Sequence, residues 1–357
     1  MKKQGRTLSL SKMYGTMERT TKASTRRTRD ECDDYDYDDS DGDDDWISLD
    51  ESLRQHLLAR VHTFTLPHDP HQGYRATQLC LVSFERPHMR TFHASWICFM
   101  MAWLVWFSMA PLLPHIEESI PGITIQDIWM SNMWSMVGTI FLRILLGPLC
   151  DQYGARGMLT GLLAFCSVPL GLSGLLIQNS WTLFLVRFWI GCVGGTLVPA
   201  QYWITSHFVR EVCGMAMAIG AGWGAMGGGL AQVIIGSIIF PWLKGLLKGD
   251  SNMAWRLSLV VPSVIALAVA IFFHRYSDDC PLGNYHQVQR AGLMQERSAI
   301  DSFRSGMLNL NAWILFFQYV LFGFHRLFKK GMAVTSYHRM NNVSLPLLLT
   351  SAFLLLG

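Results

Sequence analysis

Charge is what most of this chain lacks. Only 15% of its 357 residues are Asp, Glu, Lys or Arg, against about 25% in an ordinary soluble domain. The shortfall is local: residues 92–273 are nearly charge-free, while 1–91 and 274–310 hold most of the charge. An apolar stretch of that length excludes a globular enzyme and reads as an all-α, polytopic membrane protein in contact with a lipid bilayer. Catalytic signatures are also missing. There is no HExxH, nucleophile elbow, P-loop or metal-ligand cluster, so no catalytic residue, metal, cofactor or nucleic-acid partner is expected. The eight Cys form no CxxC pair and no regular spacing, which argues against a disulfide framework or zinc site and for small buried hydrophobes. No apolar signal-peptide core precedes the first long apolar run.

Apolar residues are equally scarce at the start. Residues 1–29 are rich in Lys, Arg, Ser and Thr with a single acid, Glu18, and 30–51 form an acidic run. Neither block buries enough apolar surface to order itself. Residues 1–91 therefore read as a disordered cytosolic tail, with Ser and Thr available for phosphorylation and with room for a protein partner.

Beyond the tail come spans of roughly 20 residues each. Six fill 92–273, beginning near Phe92, Ile128, Gly157, Trp181, Val212 and Ala254. A cytosolic central loop covers 274–310, and 311–357 holds one or two further spans, from about Ala312 and Val343. Backbone polar groups must be satisfied within lipid, so helices are the choice for all of them. The seventh is irregular, because the apolar run 312–324 is short and leads into His325, Arg326, Lys329 and Lys330. Arg86, Arg90, Arg156, Arg210, Arg275, Arg290, Arg297 and Arg304 fall on one side; the other receives Lys244 and Lys248 only, and its loops at 114–127 and 178–180 carry no Lys or Arg. The positive-inside rule makes the first side cytoplasmic, together with the N-terminus. Trp129, Trp134, Trp181, Trp203, Trp242 and Trp255 lie near span ends, as an aromatic belt requires.

Inside the fifth span, 216–232 holds six glycines, Gly220, Gly222, Gly224, Gly227, Gly228 and Gly229. Each costs a helix interior about 1 kcal/mol relative to Ala. Ala216, Gly220, Gly224 and Gly228 recur every fourth residue and form a stripe without side chains. Such a stripe lets another helix, or a small ligand, approach the backbone.

Two positions carry charge at membrane depth. Arg143, in TIFLRILLGPL, lies about one turn inside the second span, and intramembrane ionisable groups face a cavity or a partner. Its planar fork of donors suits a flat oxyanion; pairing with Asp151 or snorkelling to the interface is an equal alternative on position alone. Arg187, about six residues into the fourth span, reads as snorkelling or structurally paired.

Between the second and third spans runs Gly147-Pro-Leu-Cys-Asp151-Gln-Tyr-Gly154-Ala-Arg156. So short a loop needs glycine where backbone angles are unusual, and Asp151 and Arg156 stand where they can lock two helix ends. This resembles the G-x-x-x-D-x-x-G-x-R loop of the major facilitator superfamily at every defined position, a gating and folding element. The run 83–96 resembles the first-helix entry of the nitrate/nitrite porter family. Ala221-Gly-Trp-Gly-Ala-Met-Gly-Gly-Gly229 resembles that family's nitrate signature, Arg187-Phe-Trp-Ile-Gly191 its fourth helix, and Ala254-Trp-Arg256 with 277–285 its sixth-helix entry and exit. The resemblance covers about 76–323.

It implies inward movement of nitrate or nitrite with protons, at the plasma membrane, through the N-terminal six-helix bundle of a major facilitator fold plus one or two helices of an incomplete second bundle. It implies that Arg143 binds the anion, with Gly222, Gly224, Gly227 and Tyr319 beside the path, and that Gly147, Asp151, Gly154, Arg156, Arg187, Gly220 and Gly228 serve gating and packing. Ala225 departs from the family's Asn, the basic residues 325–330 replace an acidic and Asn-bearing stretch, and a second substrate Arg on an eighth helix has no equivalent. The expectation is therefore two thirds of a porter that does not transport nitrate by itself. A non-transporting truncated product, or a porter of another small anion, are the alternatives.

Overall fold

The computed structural model describes residues 52–291, together with 293, 304, 307–310, 313–314, 317–318 and 321. The acidic run, the basic cluster 325–330, Tyr319 and the eighth apolar run lie outside the described residues.

Six helices are long and apolar enough to cross a membrane: His88–Ser119 (α1), Ile125–Tyr153 (α2), Ala155–Leu176 (α3), Ser180–His207 (α4), Arg210–Leu246 (α5) and Ser251–Tyr276 (α6). They follow the six sequence-predicted spans in order. Most extend beyond the apolar runs, because helical backbone continues into the polar flanks. α1 runs on past Pro111 and Pro114 in short helical pieces that each carry a proline in the first turn, where the missing N–H is not needed. α2 opens on a capping box, with the Thr124 hydroxyl and the Asp127 carboxylate satisfying each other's backbone.

Two helices are locally re-wound. α4 tightens into a 3-10 stretch at Cys192–Thr196, where two glycines, Gly194 and Gly195, pass close to α2. α5 widens into a π-helical stretch at Gln232–Ile239, just before Pro241. Pro241 cannot donate to the preceding turn, which is one of the identifiable causes of such irregularity.

The core runs between the helices, with Phe99, Leu104, Leu159, Leu163, Leu183, Ile190, Trp203 and Trp255 all buried. Outward faces are strongly apolar, as lipid requires: Trp129, Ile140, Phe141, Ile144, Leu175 and Trp242 are exposed. Among the tryptophans assigned to the aromatic belt, Trp129, Trp181 and Trp242 are exposed, whereas Trp203 and Trp255 are buried. Trp203 instead donates its indole N–H to the Asp278 carbonyl at 3.1 Å. Among the described Cys, five of seven are buried and none is disulfide-bonded.

Defined structure begins well before the first span. Residues 52–59 are helical and continue into a 3-10 turn, Arg60–Thr63. A two-stranded hairpin of His68–Asp69 (β1) and Arg75–Ala76 (β2) follows. Residues 52–87, placed in the tail by composition, are thus folded. The reason is apolar: Leu57 packs with Cys280, Leu282, Tyr285 and Val288 beyond α6, and Leu66 and Ala76 pack with Phe92, Ile204 and Phe208. The segment after α6 turns at Gly283 and ends in a short helix, Tyr285–Arg290 (α7).

Candidate functional site

The contact between α2 and α4 is built from glycines on both helices. A β-carbon on Gly138 would overlap the Phe188 carbonyl, one on Gly191 would overlap the Ser135 backbone, and one on Gly195 would lie 2.7 Å from Leu146 Cδ1. The backbones therefore meet directly. Thr139 of α2 donates its hydroxyl to the Gly191 carbonyl at 2.7 Å.

One turn further along, Arg143 reaches the same seam. Its Nε and Nη2 both donate to the Gly194 carbonyl at 3.3 Å. Arg143 is exposed on the bundle surface. No ion pair links it to Asp151; the Arg–carboxylate pairs among the described residues are those of Arg60 and Arg86 with Asp278. A carbonyl orients a guanidinium without cancelling its charge. The result is a fixed cation on the face of an otherwise apolar bundle, with donors left over for an anion.

Arg187 is placed differently. It is only 3% exposed, so it does not snorkel. Its Nη2 donates to Asn132 Oδ1 at 2.6 Å, joining α4 to α2 nearer the start of both helices.

The α5 glycines divide by face. Gly220, Gly224, Gly227 and Gly228 are buried. A β-carbon on Gly220 would meet Ile204, one on Gly224 the Phe99 ring, and one on Gly227 the Met100 carbonyl and Trp103 Cβ. The stripe thus seats α5 on α1 and α4. Gly222 points the other way, with nothing within 4 Å of a β-carbon. These glycines face α1, α4 or open space, whereas Arg143 bonds to the Gly194 carbonyl of α4, so the structure does not bring them together.

The loop between α2 and α3 turns at Gly154, whose φ of +81° belongs to glycine; Gly147, inside α2, has open space around it. Arg156 does not close on Asp151. Its Nη1 donates to the Ser277 carbonyl at 2.9 Å and its Nη2 to Asn284 Oδ1 at 3.3 Å. The Asp279 carboxylate accepts the backbone N–H groups of Arg156 and Tyr285 at 3.2 and 3.3 Å. Burial pushes the Asp279 carboxyl above its ordinary value, against the pull of Arg156. The Tyr285 hydroxyl donates to the Asp151 carbonyl. The loop is therefore held by the chain after α6, and Asp279 and Tyr285 carry a role that sequence spacing did not reveal. Two adjacent acids after an Arg-bearing helix end are the signal that was present.

A family model described as Major Facilitator Superfamily matches residues 95–356. The high-affinity nitrate transporter 2.3 of Oryza sativa subsp. japonica is 31% identical over 256 residues, which cover 72% of this chain and 48% of that relative. The high affinity nitrate transporter 2.5 of Arabidopsis thaliana is 32% identical over 251 residues, covering 70% and 49%. The nitrate/nitrite transporter NrtP of Nostoc punctiforme is 27% identical over 223 residues, covering 62% and 43%. The chain spans about half the length of the curated relatives it matches.

Proposed function

The chain belongs to the Major Facilitator Superfamily, and on that premise we propose that this multi-pass membrane protein handles nitrate or nitrite in proton-coupled uptake at the plasma membrane, with its N-terminus cytoplasmic. Arg143 is the anion-binding residue of the six-helix bundle. The observation that carries this reading is its single tether: a guanidinium held by the Gly194 carbonyl, exposed, and without a carboxylate partner among the described residues. Relatives named as nitrate transporters supply the choice of anion. Gly222 lies on the open face of α5, while Gly224 and Gly227 serve the path through the packing of α5 on α1. Gly147, Asp151, Gly154 and Arg156 form the gating turn, held by 277–285.

The test is nitrate binding to the purified chain, followed by the nitrate-dependent rise in unfolding temperature. Arg143→Lys keeps the charge but loses the planar fork, so affinity is expected to fall at least tenfold with folding intact. Unchanged affinity would remove Arg143 from the site.

A further inference from the structure

We propose that Arg187 and Asn132 form a second subsite for a small monovalent anion, separate from Arg143 and nearer the opposite end of the α2–α4 seam. Three observations carry it. Arg187 is buried, at 3% exposure, in a helix that crosses the apolar bundle. Its guanidinium makes one hydrogen bond among the described residues, to the neutral Asn132 side chain, and its Nε is buried with no partner among them. No carboxylate among the described residues pairs with it. A buried cation left uncompensated is strongly disfavoured, and structures answer it with a partner charge or a ligand. Intramembrane ionisable residues mark ion and substrate paths for the same reason.

The neighbours do not supply that charge. On α2, the Ser131 hydroxyl donates to the Ile128 carbonyl and Ser135 accepts the Trp106 indole N–H at 2.8 Å. Asn132 itself is half-buried. Its carbonyl orients one arm of the guanidinium, leaving Nε to donate. An anion of one charge and small radius, such as nitrate, nitrite or chloride, balances the cation and engages that donor. A larger or divalent anion would replace one imbalance by another. Asn132 and Arg143 lie eleven residues apart on α2, roughly 16 Å along the helix axis at 1.5 Å per residue. One anion cannot touch both arginines, so the subsites are sequential along one seam.

This inference does not depend on Arg143 binding anions, and the experiment separates the two. Binding of radiolabelled chloride and of nitrate is measured by equilibrium dialysis on the full chain in detergent, in an Arg143→Gln background that silences the other arginine. Saturable binding is expected to persist there. Adding Asn132→Asp places a carboxylate at the position that now accepts from Arg187, and is expected to lower anion affinity at least tenfold while the ligand-free unfolding temperature holds or rises. Asn132→Ser removes the acceptor without adding charge, and is expected to lower affinity measurably less than Asn132→Asp does. Absence of saturable binding in Arg143→Gln, or equal loss in Asn132→Ser and Asn132→Asp, would overturn the subsite and leave Arg187 a packing residue. Neither result bears on the Arg143→Lys test, which is made in the native background.

Discussion

The Asp279 carboxylate sits directly over Gly154, so close that a β-carbon there would lie 2.9 Å from its Oδ2. The turn between α2 and α3 and the chain leaving α6 are therefore fitted to each other. Glycine is required twice over at this point, for its positive φ and for the space Asp279 occupies.

Removing that carboxylate is expected to loosen the turn. Asp279→Ala leaves the backbone N–H groups of Arg156 and Tyr285 without their acceptor, a loss of about 1–3 kcal/mol. Asp279→Asn keeps one acceptor oxygen and is expected to cost less. The pH dependence has a definite sign. Burial raises the Asp279 carboxyl above its ordinary 3.8 in the folded protein, so the folded state holds this proton more tightly than the unfolded chain does. The resulting stabilisation is complete below 3.8 and is lost as pH rises through the folded value. Unfolding temperatures followed upward from pH 4 are expected to fall more in the native protein than in Asp279→Asn. Parallel curves would show that this carboxylate does not titrate with folding.

The two faces of α5 make opposite predictions. Gly224→Leu drives a side chain into the Phe99 ring, an overpacking cost of about 1–3 kcal/mol or more, seen as reduced abundance of folded protein. Gly222→Ala meets nothing within 4 Å and is expected to gain up to about 1 kcal/mol from helix propensity. If stability rises in Gly222→Ala while nitrate affinity falls, Gly222 contributes to the anion path. If both are unaffected, its openness is incidental.

Much of the architecture was legible because membrane helices are written in hydropathy and length. The six spans, the turn at Gly154 and the Ala216–Gly228 stripe all follow from composition and spacing. What was not legible depended on pairing between distant segments. Arg156 sits five residues from Asp151 but binds Ser277 and Asn284, more than 120 residues away. Trp203 and Trp255 lie at span ends like belt residues, yet both are buried. The folding of 52–87 was hidden for a related reason: its few apolar residues are scattered among charges and find their partners only in 280–288 and in α1 and α4. Arg143 could be singled out from its depth, but whether it pairs with Asp151, snorkels or is held otherwise depended on the distant Gly194 carbonyl that faces it.

Sidedness is testable with thiol chemistry. Cys80 is exposed, whereas Cys98, Cys150, Cys166, Cys192 and Cys280 are buried. A membrane-impermeant maleimide applied from outside intact cells is expected to spare Cys80 and to label Lys248→Cys. Labelling of Cys80 with sparing of Lys248→Cys would invert the proposed orientation.

The sharpest prediction concerns the tether of Arg143 rather than Arg143 itself. Gly195 follows the carbonyl that holds the guanidinium, and a β-carbon there would press on Leu146 Cδ1 at 2.7 Å and Leu142 Cβ at 3.2 Å. Leu142 is the immediate neighbour of Arg143 on α2. Gly195→Ala therefore pushes α2 and α4 apart at the level of the proposed site while leaving every charge in place. A flexible Leu146 end gives way in part, so the bundle is expected to fold with a loss of about 1–2 kcal/mol. Bidentate recognition is sensitive to small displacements of a fixed fork. Nitrate affinity is expected to drop roughly tenfold in Gly195→Ala, with the salt dependence of binding retained because the charge remains. Gly214→Ala, on α5 with nothing within 4 Å, is the matched control and is expected to leave affinity unaltered. Native affinity in Gly195→Ala would show that the Gly194 carbonyl is a passive contact and that Arg143 is positioned by something other than the α2–α4 seam.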